Sequence, residues 1–186
     1  MQKRIIRASM AALLGLMAMS GRAVAQNPVQ TFGTFTMSRN VDPISDEDRS
    51  NAAVASVDST AVMWWQCYGD TAGVFAAFKE PPEGEEIDAV YRFDQDRPDT
   101  TVLTSAPSDG YVWLFFPEEE TYAITQRAMT AGRFVLRVWD ADDSTRDFIF
   151  TLSGGGRALR TLPCVTRMRP PVAGQPAVQK RSDKPH

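Results

Sequence analysis

Residues able to do chemistry are few in this chain, and their spacing is loose. The single histidine, His186, is the last residue. The folded part therefore holds no Ser-His-Asp or Cys-His machinery and no histidine-based metal site of the usual kind. Neither a GxxxxGKS/T run nor a GxGxxG run occurs. Ser153-Gly154-Gly155-Gly156 precedes an expected helix. Such a run can cradle an anion on backbone N–H groups; the plainer reading is a strand-to-helix turn in which Ser153 caps the helix. Asp94, Asp96 and Asp99 fall in one turn, and Asp140, Asp142 and Asp143 in another. Calcium uses clustered oxygens of this kind, but neither turn has the twelve-residue loop with its central Gly and terminal Glu. Acidic hairpin turns are the commoner case, and no metal or cofactor is expected. Paired carboxylates could also serve a glycoside hydrolase, yet no motif singles out a pair among so many acids.

Two further groups concern binding and covalent structure. Trp64, Trp65, Trp113 and Trp139 are candidates to line a groove. Alternation puts Trp64 and Trp65 on opposite faces of one strand, so one is core and the other exposed. In Tyr91-Arg92-Phe93-Asp94, Arg92 and Asp94 share a strand face, and Arg137 and Trp139 share another. Arg92, Asp94, Arg137 and Trp139 are the candidate partner-binding residues, since an exposed aromatic beside Arg is a common interface hot spot. The competing reading is an ion pair among Arg92, Asp94, Asp109 and Arg137 that serves structure alone. Cys67 and Cys164 are the only cysteines. In an oxidising compartment an isolated pair most simply forms one disulfide.

The elements that must position these residues are mostly strands. Phe32 to Ser38 alternates as a first strand, and Asn40 to Arg49 reads as a turn or short helix start with Ser45 as cap. Ala52 to Val57 and Ala61 to Tyr68 form a hairpin around Asp58-Ser59-Thr60. Val62, Trp64, Gln66 and Tyr68 take one face of its second strand, and Met63, Trp65 and Cys67 the other. Further strands are expected at Gly73–Lys79, Ile87–Phe93, Thr101–Ser105 and Tyr111–Phe116, with an exposed Pro-Gly-acid loop from Glu80 to Glu86. Pro117 followed by three glutamates opens a helix that runs to about Thr130 and stops at Gly132. Arg133 to Trp139 and Arg146 to Leu152 make the clearest hairpin, with Phe134, Leu136 and Val138 facing Phe148, Phe150 and Leu152. A second short helix carries Ala158, Leu159 and Leu162, with Cys164 at its end. The expected fold is mainly β: an antiparallel β-sandwich or half-barrel with two short helices and one disulfide.

Composition and ends set the compartment. Lys3, Arg4 and Arg7 precede an apolar run from Met10 to Met19, and Ala23-Val24-Ala25 precedes Gln26. That is the pattern of a cleaved secretory leader, residues 1–25, and the run is shorter than the ~20 residues a membrane span needs. No cysteine follows the cleavage site, so no lipid anchor is expected. The mature chain is expected in the periplasm or outside the cell as one domain, residues 26–166, followed by a basic, Pro-rich, disordered tail, 167–186. From Gln26 to Cys164 the chain has 11 basic against 22 acidic residues, a net −11. Such an acidic body argues against a nucleic-acid partner, which needs a basic face. With 43% hydrophobic residues, four Trp and ten Phe, the chain can build a real core.

The order of short segments also carries a family likeness. It comprises Pro43 to Asp46, a strand ending in Cys67, Tyr91 to Asp94, Ser105 to Asp109, Arg137-Val138, Phe150 to Gly154, Ala158-Leu159 and Cys164. Over about Phe35 to Cys164 it resembles the periplasmic accessory proteins of type VI secretion clusters, the VasI/TagO-like family. Phe32 or Phe35 stands where that family opens with Trp, and the basic Pro-rich tail is extra. The resemblance implies a disulfide-stapled β domain that binds an envelope protein or a cell-wall component, and it carries over no catalytic residue. Two other functions compete with this one: a small periplasmic cell-wall hydrolase using paired carboxylates, and an exported inhibitor of a foreign enzyme.

Overall fold

The computed structural model describes residues 28–79, 84–108 and 110–170. The expected leader, residues 80–83 of the expected Glu80–Glu86 loop, residue 109 and the tail beyond residue 170 lie outside the described residues. The strands are β1 (Val29–Phe32), β2 (Phe35–Ser38), β3 (Asn51–Ala55), β4 (Ala61–Tyr68), β5 (Thr71–Phe78), β6 (Glu86–Phe93), β7 (Asp99–Ser108), β8 (Tyr111–Phe115), β9 (Arg133–Trp139) and β10 (Thr145–Thr151). Three short helices accompany them: α1 (Glu118–Ala128), α2 (Gly155–Arg160) and α3 (Pro163–Arg167).

All ten strands pair antiparallel in one sheet, in the order β1-β2-β3-β4-β5-β8-β7-β6-β9-β10. The meander β6-β7-β8 is inserted backwards, so β8 lies beside β5 and β6 beside β9. The sheet curls until its far strands meet. Ser56 bridges Phe150, Val57 N–H donates to the Ile149 carbonyl at 2.8 Å, and the Thr34 hydroxyl donates to the Thr151 carbonyl at 2.5 Å. This seam does not close the sheet into a barrel. Of the two expected architectures, the single curled sheet is the half-barrel.

Period-two alternation builds the interior. Met63, Trp65 and Cys67 on β4 point inward, as do Tyr91 and Phe93 on β6 and Phe134, Leu136 and Val138 on β9; each is at most 5% exposed. The Phe134↔Phe150 and Leu136↔Phe148 pairs confirm the hairpin read from the sequence. Phe134 lies 4.8 Å from Phe93 and 5.9 Å from Phe150, ring centre to ring centre. α1 fills the concave side through Ile124, Thr125 and Ala128, all fully buried. Three glutamates in its first turn suit the positive end of the helix. Cys67 and Cys164 form a disulfide with a Cα–Cα distance of 5.6 Å, which pins α3 to β4.

Four local expectations need correction. The first strand is a hairpin, because Gly33 takes a left-handed turn (φ 60°) that alternation alone does not reveal. No helix starts in the segment after Ser38. Asp42, not Ser45, organises it, accepting from the N–H groups of Ile44 (2.8 Å) and Ser45 (3.0 Å). Cys164 sits in a third helix, begun by Pro163 at its first turn, rather than at the end of the second. Ser153 does not cap α2; Gly154 occupies the N-cap with φ 85°, and the Ser153 carbonyl accepts from Thr34 N–H at 2.9 Å.

The glycine run thereby gains a packing role. A Cβ on Gly154 would sit 2.1 Å from the Phe32 carbonyl oxygen, and one on Gly155 2.7 Å from that of Ala128. These N-terminal residues of α2 abut the β1–β2 turn and the end of α1, where only glycine fits. An anion cradle is not what this geometry builds.

Candidate binding face

The concave side of the sheet is filled, so the convex side carries whatever the strands offer outward. On β4, Val62, Trp64, Gln66 and Tyr68 alternate outward as expected, while Trp65 is buried against Phe35 at 5.7 Å. The pairing of β5 with β8 brings Phe75, Trp113 and Phe115 beside Trp64. Phe75 stacks on Trp64 at 6.4 Å and 12°, and meets Trp113 at 5.2 Å and Phe115 at 5.3 Å. Trp64 and Trp113 lie 6.2 Å apart. Rings at these separations support one another by offset and edge contacts. The cluster is an aromatic plate on the face away from the helices: Phe75 is buried at its centre, Trp64 and Trp113 are half-buried, and Phe115 at its rim is 36% exposed. The buried indole N–H of Trp64 has no acceptor among the described residues.

The residues expected to form one partner face are divided by the structure. Arg92 is exposed and, with Arg133 and Arg137, lines a shallow groove of about 300 Å³ across β6 and β9. Asp94 does not join it. It turns into a left-handed conformation (φ 45°), and its carboxylate accepts from the N–H groups of Gly132 (3.1 Å) and Arg133 (2.9 Å). It thus ends β6 and fixes the corner where α1 hands over to β9. Arg137 makes a two-pronged ion pair with Asp147 at 2.6 and 2.7 Å. That pair raises the Arg137 pKa further and holds the Asp147 carboxyl below the usual carboxylate range. The structural reading therefore applies to Asp94 and Arg137, with partners other than those expected. Trp139 is half-buried and stands in a separate cleft of about 640 Å³ lined by β6, β7 and the β9–β10 turn.

The two acidic turns are occupied by the chain's own groups. Arg127 of α1 donates to Asp99 at 2.5 Å and Asp96 at 3.2 Å, and its guanidinium lies 4.5 Å over the Phe93 ring. Asp140 is paired with Arg146 at 2.7 and 2.8 Å, and Asp142 accepts from Ser144 N–H at 3.0 Å. Inside, Glu120 accepts from the Tyr91 hydroxyl (3.0 Å) and the Thr101 hydroxyl (2.8 Å). Burial first, and then the Glu120 charge, push the Tyr91 phenol far above its ordinary pKa. Neither the Arg127 clamp nor the Glu120 bridge is visible in sequence spacing, because each joins a helix to strands at least 19 residues away. Phe75 and Phe115 carried a usable signal, strand alternation, but their meeting depends on the inserted meander.

Fold and face together define a small, disulfide-stapled β protein: a curled antiparallel sheet with helices on one side and an aromatic plate on the other. No family model matches the chain, and no curated protein matches it by sequence. Among solved structures it is similar to invasion associated protein B from Bartonella henselae, at 12% identity and a TM-score of 0.53. The match covers 76% of this chain and 99% of that one, and it shows a shared fold. Among the described residues no helix is long and apolar enough to cross a membrane.

Proposed function

We propose that this protein is an exported, non-enzymatic binding protein of the cell envelope, an accessory protein similar in role to the type VI secretion-associated family. It binds an envelope protein or a cell-wall component with the convex face of its sheet. The observation that carries this reading is the plate of Trp64, Trp113 and Phe115, packed around the buried Phe75 and open to solvent along its rim. Aromatic side chains are enriched in the cores of interfaces, and an apolar group on an otherwise acidic surface marks where a partner removes water. The secretory-type leader pattern and the disulfide between two fully buried cysteines support export. The likeness to the accessory family rests on the residue segments given above.

The test is capture from envelope extract by residues 26–186, followed by mass spectrometry, with a Trp113→Ser/Phe115→Ser variant run beside the parent chain. Neither side chain belongs to the interior core, so the variant should remain folded, as circular dichroism checks, and lose the captured partner. Equal capture by both proteins refutes the convex face as the binding surface. Recovery of cell-wall fragments that the protein then degrades would favour the hydrolase.

A further inference from the structure

We propose that the Trp139 cleft is a docking groove for an extended cationic peptide segment of a partner protein, one carrying Lys or Arg. This deepens the binding reading above and rests on it. The cleft of about 640 Å³ is lined by no basic residue. Glu86 and Asp88 on β6 and Asp143 in the β9–β10 turn line it, and none of the three makes an ion pair among the described residues. Asp140, which also lines the cleft, pairs with Arg146, and the carboxylates nearby are paired too: Asp96 and Asp99 with Arg127, and Asp147 with Arg137. Three carboxylates without an ion pair among the described residues thus gather at this cleft.

The carboxylates alone would make an ordinary solvated rim. Trp139 and the aliphatic floor turn the cleft into a place for a side chain with a long stem and a charged head. Val102, 47% exposed, pairs with Asp88, and one step beyond the Ala89–Val138 pair the next residues are Asp88 and Trp139. An indole, a carboxylate and a valine thus lie side by side across three strands. A Lys or Arg stem can cover Val90 and Val102 while its cation meets the Trp139 ring and the Asp88 carboxylate.

The same strand gives the segment its polarity. The outward residues of β6 run Glu86, Asp88, Val90, Arg92, a charge sequence of minus, minus, neutral, plus. Arg92 and Arg133 border the neighbouring groove, and neither guanidinium has a partner among the described residues. Asp88 and Arg92 are four residues apart, about 13 Å along a strand. The complementary segment carries its cation and its carboxylate at that same separation.

The probe is a fluorescein-labelled peptide, Lys-Thr-Lys-Thr-Val-Thr-Glu, compared with its charge-reversed form, Glu-Thr-Glu-Thr-Val-Thr-Lys. Fluorescence anisotropy at low salt is read with the full chain. The first peptide should bind at least tenfold more tightly than the second and weaken as salt rises. Asp88→Asn and Trp139→Ala should each weaken it several-fold, and Arg92→Glu should narrow the preference between the two peptides. Asp88 is an exposed strand residue whose side chain makes no hydrogen bond or ion pair among the described residues, so its variant also guards against loss of folding. Equal affinity for both peptides, no binding, or equal competition by spermidine would overturn the proposal, the last by making the cleft a site for small cations. Asp88→Asn also separates the two readings. If it leaves envelope capture intact while Trp113→Ser/Phe115→Ser abolishes it, the binding role stands and the cleft is not its docking site.

Discussion

The disulfide gives the sharpest quantitative expectation. Cys67 and Cys164 are 97 residues apart in sequence and adjacent in space. Reduction removes no heavy atom, only the cross-link, and so lifts the constraint on the unfolded chain. Loop-closure entropy for about 100 residues amounts to ~4.7 kcal/mol at 25 °C. A domain of roughly 140 residues has an unfolding entropy near 0.3 kcal/mol per degree, so the reduced protein should melt about 15 °C lower. Urea unfolding with and without a phosphine reductant is the assay. The reduced form should lose several kcal/mol and show a larger m-value, because an unlinked chain exposes more surface when it unfolds. A shift under about 3 °C with an unchanged m-value would refute the reasoning and place the cross-link between regions already held together when unfolded.

Other expectations concern single residues. Asp94→Ala removes the acceptor of two backbone N–H groups at the corner between α1 and β9; it should cost about 1–2 kcal/mol, and Asp94→Asn less, in chemical denaturation. Gly154→Ala meets the Phe32 carbonyl, whereas Gly110→Ala has a similar left-handed φ and open space around it. Gly154→Ala should therefore lose at least 1 kcal/mol more than Gly110→Ala in parallel melts. Arg137→Ala breaks a solvent-exposed ion pair and should lower stability only slightly near neutral pH. Asp147 has a folded pKa below its unfolded value, so its contribution is complete above the ordinary carboxylate range and is lost as pH falls through the folded pKa. Arg137→Ala should flatten that acid limb, and an unchanged limb would contradict the assignment. Trp65→Ala should cost about 3–5 kcal/mol and Trp64→Ala clearly less, since only the first empties the core.

Strand positions and the inward and outward residues of β4, β9 and β10 were legible because alternation records them directly. Pro117 and the glutamates after it signalled α1 just as clearly. Pairing between distant strands was not legible. The β5–β8 and β6–β9 contacts follow from a reversed meander, and no residue type encodes it, so the aromatic plate could be listed by its tryptophans but not assembled. Asp94 shows the limit in another way. Its place in the alternation put it beside Arg92, yet the strand ends there, and a carboxylate at a strand end is free to turn back onto backbone N–H groups. The glycine run after Ser153 was read as a flexible turn or an anion cradle; the close backbone contacts that explain it come from segments more than 20 residues away in sequence.

The seam between Ser56 and Phe150 sets an order of events. A chain made from its N-terminus presents β3 nearly a hundred residues before β10 exists to meet it, and Cys67 equally long before Cys164 arrives. Until then one thiol is unpaired and one sheet edge is open, in a half-formed sheet rich in aromatic side chains. The last twenty described residues therefore act as a latch, bringing in α2, α3 and the second cysteine together. A chain ending between Thr151 and Pro163 would keep all ten strands and lack the clasp.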